Sequence, residues 1–335
     1  MNTSKINKLL LAAVLALSTA PVAARDMVVG SWLPPTHPMN AEVLPTWGEW
    51  INEATEGRVK LRIEYHSGHP KDVFDGVEDG TYDAGWSFHG YIPGRFKLTE
   101  IVELPLLNAG PEAASAAYWR VYEKYLASSG EHDGLHLAGL FTHGPGQIMM
   151  RAPIDGIDDM QGKKVRVGGG IQGEIAKRMG VVVVPAPGSK VYEILSTGVA
   201  DGVFMPVGEQ KTLRLAEVAK FIFEQPEGMY LGSFGVFINP AFLQSLSAAD
   251  REAISAASGE KLSAMAGRVW GGNDDAGLAA ARAAGNQIVQ ASAAEQKKFR
   301  DLVQGMDEQW LQKVADRNVD AAAALRELRD IARSY

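Results

Sequence analysis

Apolar and polar positions alternate along this chain in two distinct periods, and the period switches mark out its elements. Met27-Val-Val-Gly-Ser-Trp32 reads as a strand, broken by Pro34-Pro35-Thr36-His37-Pro38. From about Asn40 to Ala54, Val43, Trp47, Trp50 and Ile51 recur at spacings of three to four, which predicts a helix terminated near Gly57. Val59 to Tyr65 then alternates apolar with polar, as a half-buried strand does, and Ser67 to Pro70 turns the chain. Further strands are expected from Leu135 to Phe141, Lys163 to Val167 and Val181 to Val184, with a helix ending at Arg178. Strands alternating with helices point to an α/β architecture.

An internal echo refines this. Val73-Phe-Asp-Gly-Val-Glu-Asp-Gly-Thr-Tyr-Asp-Ala-Gly-Trp86 aligns with Val191-Tyr-Glu-Ile-Leu-Ser-Thr-Gly-Val-Ala-Asp-Gly-Val-Phe204. Val73/Val191, Gly80/Gly198 and Asp83/Asp201 are identical. Each copy reads as a short helix stopped by glycine, then a strand opened by Asp. One copy in each half predicts two related lobes with a ligand between them. From about Ser247 the sequence is Ala-rich with interleaved charges, and reads as helices bracing those lobes.

The N-terminus begins with a basic stretch containing Lys5 and Lys8, followed by an apolar run from Leu9 to Ala20 and by Val22-Ala23-Ala24. That order predicts an export signal over residues 1–24 and cleavage after Ala24. The run is shorter than the roughly 20 residues a membrane anchor needs, and Ser18, Thr19 and Pro21 interrupt it. The expected location is the periplasm. The chain has 335 residues and no cysteine, so neither a disulfide nor a lipid-bearing cysteine is available. A net charge of -7 speaks against a nucleic-acid partner.

Candidate chemistry is sparse. Gly168-Gly169-Gly170-Ile171-Gln172-Gly173 fits G-x-G-x-x-G after a strand, but the next strand ends in Pro185-Ala186-Pro187, where a dinucleotide fold places an acid. The expectation is an anion-friendly helix N-terminus and no cofactor. His66 and His69, with Asp72 and Asp75 nearby, read as a polar turn with Asp72 as N-cap, and no metal is expected. No G-x-S-x-G or H-E-x-x-H pattern is present. An exported enzyme acting on a small carboxylate or amine-bearing metabolite is the alternative, because convergent triads leave no mark in spacing.

In open α/β sheets ligands meet the carboxyl ends of strands. Those ends nominate Trp32, His37, Trp86, Phe88, His143, Gln147, Arg166 and Met205, with Glu209 close behind. One cation, Arg166, among aromatic and apolar side chains suits a small carboxylate with an apolar body. Trp32 and Trp86 serve equally well as core residues, and Glu209 could face an amine.

The run Arg151-Ala-Pro-Ile-Asp-Gly-Ile-Asp-Asp-Met-Gln-Gly-Lys-Lys-Val-Arg166-Val, then Val191-Tyr-Glu-Ile-Leu and Gly198-Val-Ala-Asp-Gly-Val-Phe-Met-Pro206, resembles the solute-binding proteins of tripartite ATP-independent periplasmic (TRAP) transporters. Glu217-Val-Ala-Lys-Phe, Phe237-Ile-Asn-Pro and Leu246-Ser-Ala-Ala-Asp-Arg extend the resemblance over nearly the whole mature chain. It implies a two-lobed periplasmic binding protein, each lobe a sheet flanked by helices, joined by hinge strands and a long helix. The implied lobes are residues 25–145 with about 232–270, and residues 146–231 with about 271–335. Implied partners are a small organic acid and the transporter's membrane subunits, with the receptor itself a monomer and not an enzyme. The family's carboxylate-anchoring Arg falls on Arg166. Met205 replaces a polar residue, Phe88 sits where sialic-acid-type members carry an acid, and their second Arg has no counterpart near Gly146 and Gln147. Those departures favour a less polar monocarboxylate, aromatic acids included.

Overall fold

The computed structural model describes residues 24–335, so the export signal read at residues 1–24 lies, but for Ala24, outside the described residues. The strands are β1 (Arg25–Ser31), β2 (Val59–Tyr65), β3 (Ala84–Phe88), β4 (His136–Thr142), β5 (Gly146–Met150), β6 (Lys164–Val167), β7 (Val182–Pro185), β8 (Gly202–Pro206), β9 (Phe221–Glu224), β10 (Ser233–Ile238) and β11 (Gln287–Gln290). They form a five-stranded sheet in the order β2-β1-β3-β10-β4 and a six-stranded sheet in the order β11-β9-β5-β8-β6-β7. Reversed and without β11, the second order repeats the first.

In each sheet one strand runs against its neighbours, and the chain reaches it by crossing from the other sheet. β10 is antiparallel to β3 and β4, and β5 is antiparallel to β8 and β9. The crossings are β4 to β5 and β9 to β10, so two hinge strands connect the halves. Central strands β3, β5 and β10 are buried along their whole length. Edge strand β2 instead turns Lys60, Arg62 and Glu64 to solvent, and charge of this kind discourages pairing with another chain.

The internal echo is structural. Gly80 and Gly198, each just past a short helix, both adopt φ 76°, a left-handed conformation that a Cβ disfavours. Asp83 and Asp201 then exchange the same pair of bonds with the neighbouring parallel strand. Asp83 Oδ2 accepts from the Val28 N–H at 2.8 Å, and Asp201 Oδ2 from the Lys164 N–H at 2.9 Å. In return the Asp83 and Asp201 N–H groups donate to the Val28 and Lys164 carbonyls at 2.9 and 2.7 Å. The aspartates pin the register of β1 against β3 and of β6 against β8.

Two details differ from the sequence expectation. The helix Asp72–Glu78 begins at Asp72, so Lys71 and not Asp72 occupies the N-cap, and no side chain caps it. The long helix is two segments, Glu260–Gly271 and Asp274–Ala283. The first packs on Pro111–Val121 and β4, the second on Glu209–Thr212 and β11. Between them Asn273 Nδ2 donates to the Gly208 carbonyl at 3.1 Å and Asp274 Oδ1 accepts from the Gly208 N–H at 2.9 Å. These bonds tie the break to the segment that follows β8.

Candidate functional site

Where the two sheets face each other, the carboxyl ends of β3, β6 and β8 and the two crossings line a small cavity. Its aromatic walls include Trp32, Phe88, Tyr91, Tyr230, Phe234 and Trp270. The rings lock one another: Phe88 and Tyr91 meet edge-on at 5.1 Å, and Phe234 lies 4.7 Å from Trp270. Arg166, His143, Gln172, Met205 and Glu209 supply the remaining side chains that bear on ligand chemistry.

Arg166 reaches this cavity because of strand alternation. Val165 and Val167 join the core on one face of β6, which sends Arg166 to the other, where it pairs in register with Val203 and Val184. Only 3% of Arg166 is exposed. Its Nε donates to the Ala186 carbonyl at 2.9 Å, fixing the guanidinium plane, and among the described residues no Asp or Glu pairs with it. A buried cation without a counter-charge is costly, and a ligand carboxylate would relieve that cost.

Two further donors converge beside it. The Gln172 Oε1 accepts from the Gly168 N–H at 2.9 Å, so its amide NH2 is left for the cavity. The Tyr91 hydroxyl accepts from the Gly188 N–H at 2.8 Å and keeps its proton available. Burial pushes the Tyr91 phenol up, so it remains a donor at neutral pH.

Glu209 is committed differently. It is 1% exposed, and its oxygens accept from His37 Nε2 at 3.4 Å, Trp270 Nε1 at 3.1 Å and the Thr212 hydroxyl. Burial pushes this carboxyl up, but the pull of His37 and hydrogen bonds from His37, Thr212 and Trp270 outweigh it and hold Glu209 below the usual range. The Met39 N–H donates to His37 Nδ1 at 3.2 Å, which turns the Nε2–H toward Glu209. With three protein donors, Glu209 has little capacity left for an amine.

Of the residues nominated from sequence, the structure brings Trp32, Phe88, His143, Arg166, Met205 and Glu209 to the cavity wall. His37 stands behind Glu209. Trp86 and Gln147 are not brought to it. Trp86 is fully buried behind Trp32, 4.8 Å between ring centroids, with its indole N–H donating to Ser31 at 2.8 Å. Gln147 bonds reciprocally to the backbone of Gln225 at 3.0 and 2.7 Å, stitching the start of one crossing to the other. Tyr91, Gln172, Tyr230, Phe234 and Trp270 escaped the sequence reading. Tyr91 follows the end of β3 closely enough that the strand-end rule reaches it. Phe234 and Trp270 arrive through the second crossing and the broken helix, which carry no local signal.

The glycine run meets a carboxyl group supplied by the chain itself. Glu103 Oε2 accepts from the Ile171 N–H at 2.9 Å at the start of the helix Gly170–Arg178, and its Oε1 accepts from the Ser233 N–H at 3.2 Å. Gly170 adopts φ 60°, and a Cβ there would stand 2.3 Å from Glu103 Oε2. This helix end is therefore closed to a pyrophosphate. The His66 and His69 pair is likewise built into the turn: His66 Nδ1 bonds the Tyr82 hydroxyl at 3.2 Å and His69 accepts from the Lys71 N–H at 3.1 Å.

Comparison with known proteins agrees with this geometry. The family described as "Bacterial extracellular solute-binding protein, family 7" matches residues 29–313. The chain is 30% identical over 318 residues to a Comamonas testosteroni protein named "Outer membrane transporter protein TsaT", covering 94% of each. Among solved structures, a TRAP periplasmic solute-binding protein from Bordetella bronchiseptica with bound (R)- and (S)-mandelate is 36% identical, with TM-score 0.90 over 92% of this chain and 99% of that one. A marine-metagenome TRAP protein specific for aromatic acids, with 3-hydroxybenzoate, is 26% identical, with TM-score 0.87 over 93% of this chain and 99% of that one. Matched along nearly its full length, with an unpaired arginine held over a cleft between two related sheets, the chain belongs to the family 7 extracellular solute-binding proteins, periplasmic receptors that bring a small organic acid to the membrane subunits of a TRAP transporter.

Proposed function

We propose that this receptor binds an aromatic monocarboxylate and releases it chemically unchanged. The observation that carries the reading is Arg166, a buried guanidinium with no carboxylate partner among the described residues, facing a cavity walled by aromatic rings. Arg166, Tyr91 and Gln172 supply donors for one carboxylate. Among the described residues no second lysine or arginine lines the cavity to balance a second carboxylate. An aromatic ring burying about 150 Å² at about 25 cal/mol per Å² gains about 4 kcal/mol, before ordering costs. Mandelate and 3-hydroxybenzoate in the similar structures are acids of this class. The three hydrogen bonds Glu209 already accepts from the protein weigh against an amine on the ligand.

Residues 25–145 with 232–270, and residues 146–231 with 271–335, act in this reading as lobes that close over the ligand through the β4–β5 and β9–β10 crossings. Bonds such as Tyr91 to Gly188 and His37 to Glu209 join the halves when they are closed. Calorimetric titration with benzoate, mandelate, succinate and phenylalanine tests the proposal. The aromatic acids should bind in the micromolar range or tighter, and succinate and phenylalanine much more weakly. Tight succinate binding would overturn it, and recovery of an altered ligand would restore the enzyme alternative.

A further inference from the structure

His143 lies in the first crossing, between β4 and β5, and its role is not explained by holding a carboxylate. Its ring is 5% exposed and lines the cavity. Nδ1 faces the Gly144 carbonyl, an acceptor only, so Nδ1 carries the proton and Nε2 presents a lone pair. Around the ring stand Tyr230, Phe234 and Trp270, at centroid distances of 5.5, 5.6 and 5.9 Å. The polar hydrogens among these neighbours are already committed: the Tyr230 hydroxyl to the Phe204 carbonyl at 3.0 Å and the Trp270 indole to Glu209 at 3.1 Å. No hydrogen-bond partner of Nε2 is found among the described residues. Space at Nε2 is kept open by Gly232, where a Cβ would stand 2.5 Å away.

We infer that His143 Nε2 accepts a hydrogen bond from a hydroxyl group on the bound acid, and so selects hydroxylated aromatic acids over their parent acids. This rests on the aromatic-monocarboxylate reading of the same cavity and adds a second polar contact to it. Burial pushes the His143 imidazole down to about 4, so at neutral pH it is an acceptor and not a second cation. A parent acid filling the same space would strip water from Nε2 and offer it nothing. Leaving a buried acceptor unpaired weakens binding roughly 5- to 150-fold.

The test is calorimetric titration at pH 7 with matched pairs: benzoate with 3- and 4-hydroxybenzoate, and phenylacetate with mandelate. The wild-type protein should favour the hydroxylated member of at least one pair by roughly 5-fold or more. His143→Phe keeps an aromatic ring against Tyr230 and Phe234 but has no acceptor, so it should abolish that preference while still binding the parent acid. Equal wild-type affinity for both members of every pair overturns the inference and leaves the aromatic-acid reading intact. A folded His143→Phe protein that retains the preference does the same. Failure of every aromatic acid to bind the wild-type protein overturns both. The wild-type ratios decide the matter even where the variant does not fold.

Discussion

Replacing Arg166 by alanine removes two separable things. One is the bond from Nε to the Ala186 carbonyl, whose loss leaves that carbonyl to water and costs about 1 kcal/mol of folding stability. The other is the counter-charge for an incoming carboxylate. Truncating one partner of a desolvated, hydrogen-bonded charge pair costs about 2–5 kcal/mol, or roughly 30- to several-thousand-fold in affinity. The upper half of that range is expected here, because Arg166 is only 3% exposed and the pair it forms with a ligand carboxylate is desolvated. Arg166→Lys restores a positive charge but not the planar pair of donors or the Nε anchor, so it should recover only part of the loss. The assay is calorimetric titration of wild type, Arg166→Lys and Arg166→Ala with the tightest aromatic acid, after circular dichroism and a urea melt confirm folding. A folded alanine variant within roughly threefold of wild type would remove Arg166 from the site and refute the carboxylate reasoning.

Further outcomes follow from the same geometry. Tyr91→Phe loses one donor to the carboxylate and the acceptor for the Gly188 N–H, and should weaken binding roughly 2- to 15-fold by titration. Gly170→Ala forces a Cβ into a left-handed position 2.3 Å from Glu103, and should lower stability by about 1–3 kcal/mol or more in urea. Glu103 is pushed up to about 8 by burial, reinforced by Glu100, against about 4.3 in an unfolded chain. The folded state therefore holds the extra proton, and this group's stabilisation is lost as pH rises toward and through 8. Above about pH 6.5, where unfolded histidines are mostly neutral, urea melts of Glu103→Gln should show a shallower fall in stability than wild type. A parallel slope in the two proteins would discard the assignment. Small-angle scattering should show a smaller radius of gyration on saturation with ligand, since a ligand touching both lobes favours the closed form.

The sequence by itself determined what depends on local pattern. The alternation from Val59 to Tyr65 is β2 without adjustment, because a strand's period is imposed by its own backbone and one buried face. The echo around Gly80 and Gly198 carried the pseudo-symmetry, because a left-handed turn needs glycine and a short acid is needed to pin the next strand. Arg166 was legible for a related reason, a cation at an alternating position of a short buried strand. Local pattern did not show which half each crossing strand joins; that was implied only by the family resemblance. β5 and β10 look like ordinary strands in sequence, and their place depends on pairing with partners more than fifty residues away. The same long-range assembly brings Tyr230, Phe234 and Trp270 to one cavity and withdraws Gln147 into the hinge. It also brings the Glu103 carboxyl against the glycine run. Each of these outcomes depends on which side chains are desolvated together, and linear spacing does not encode that.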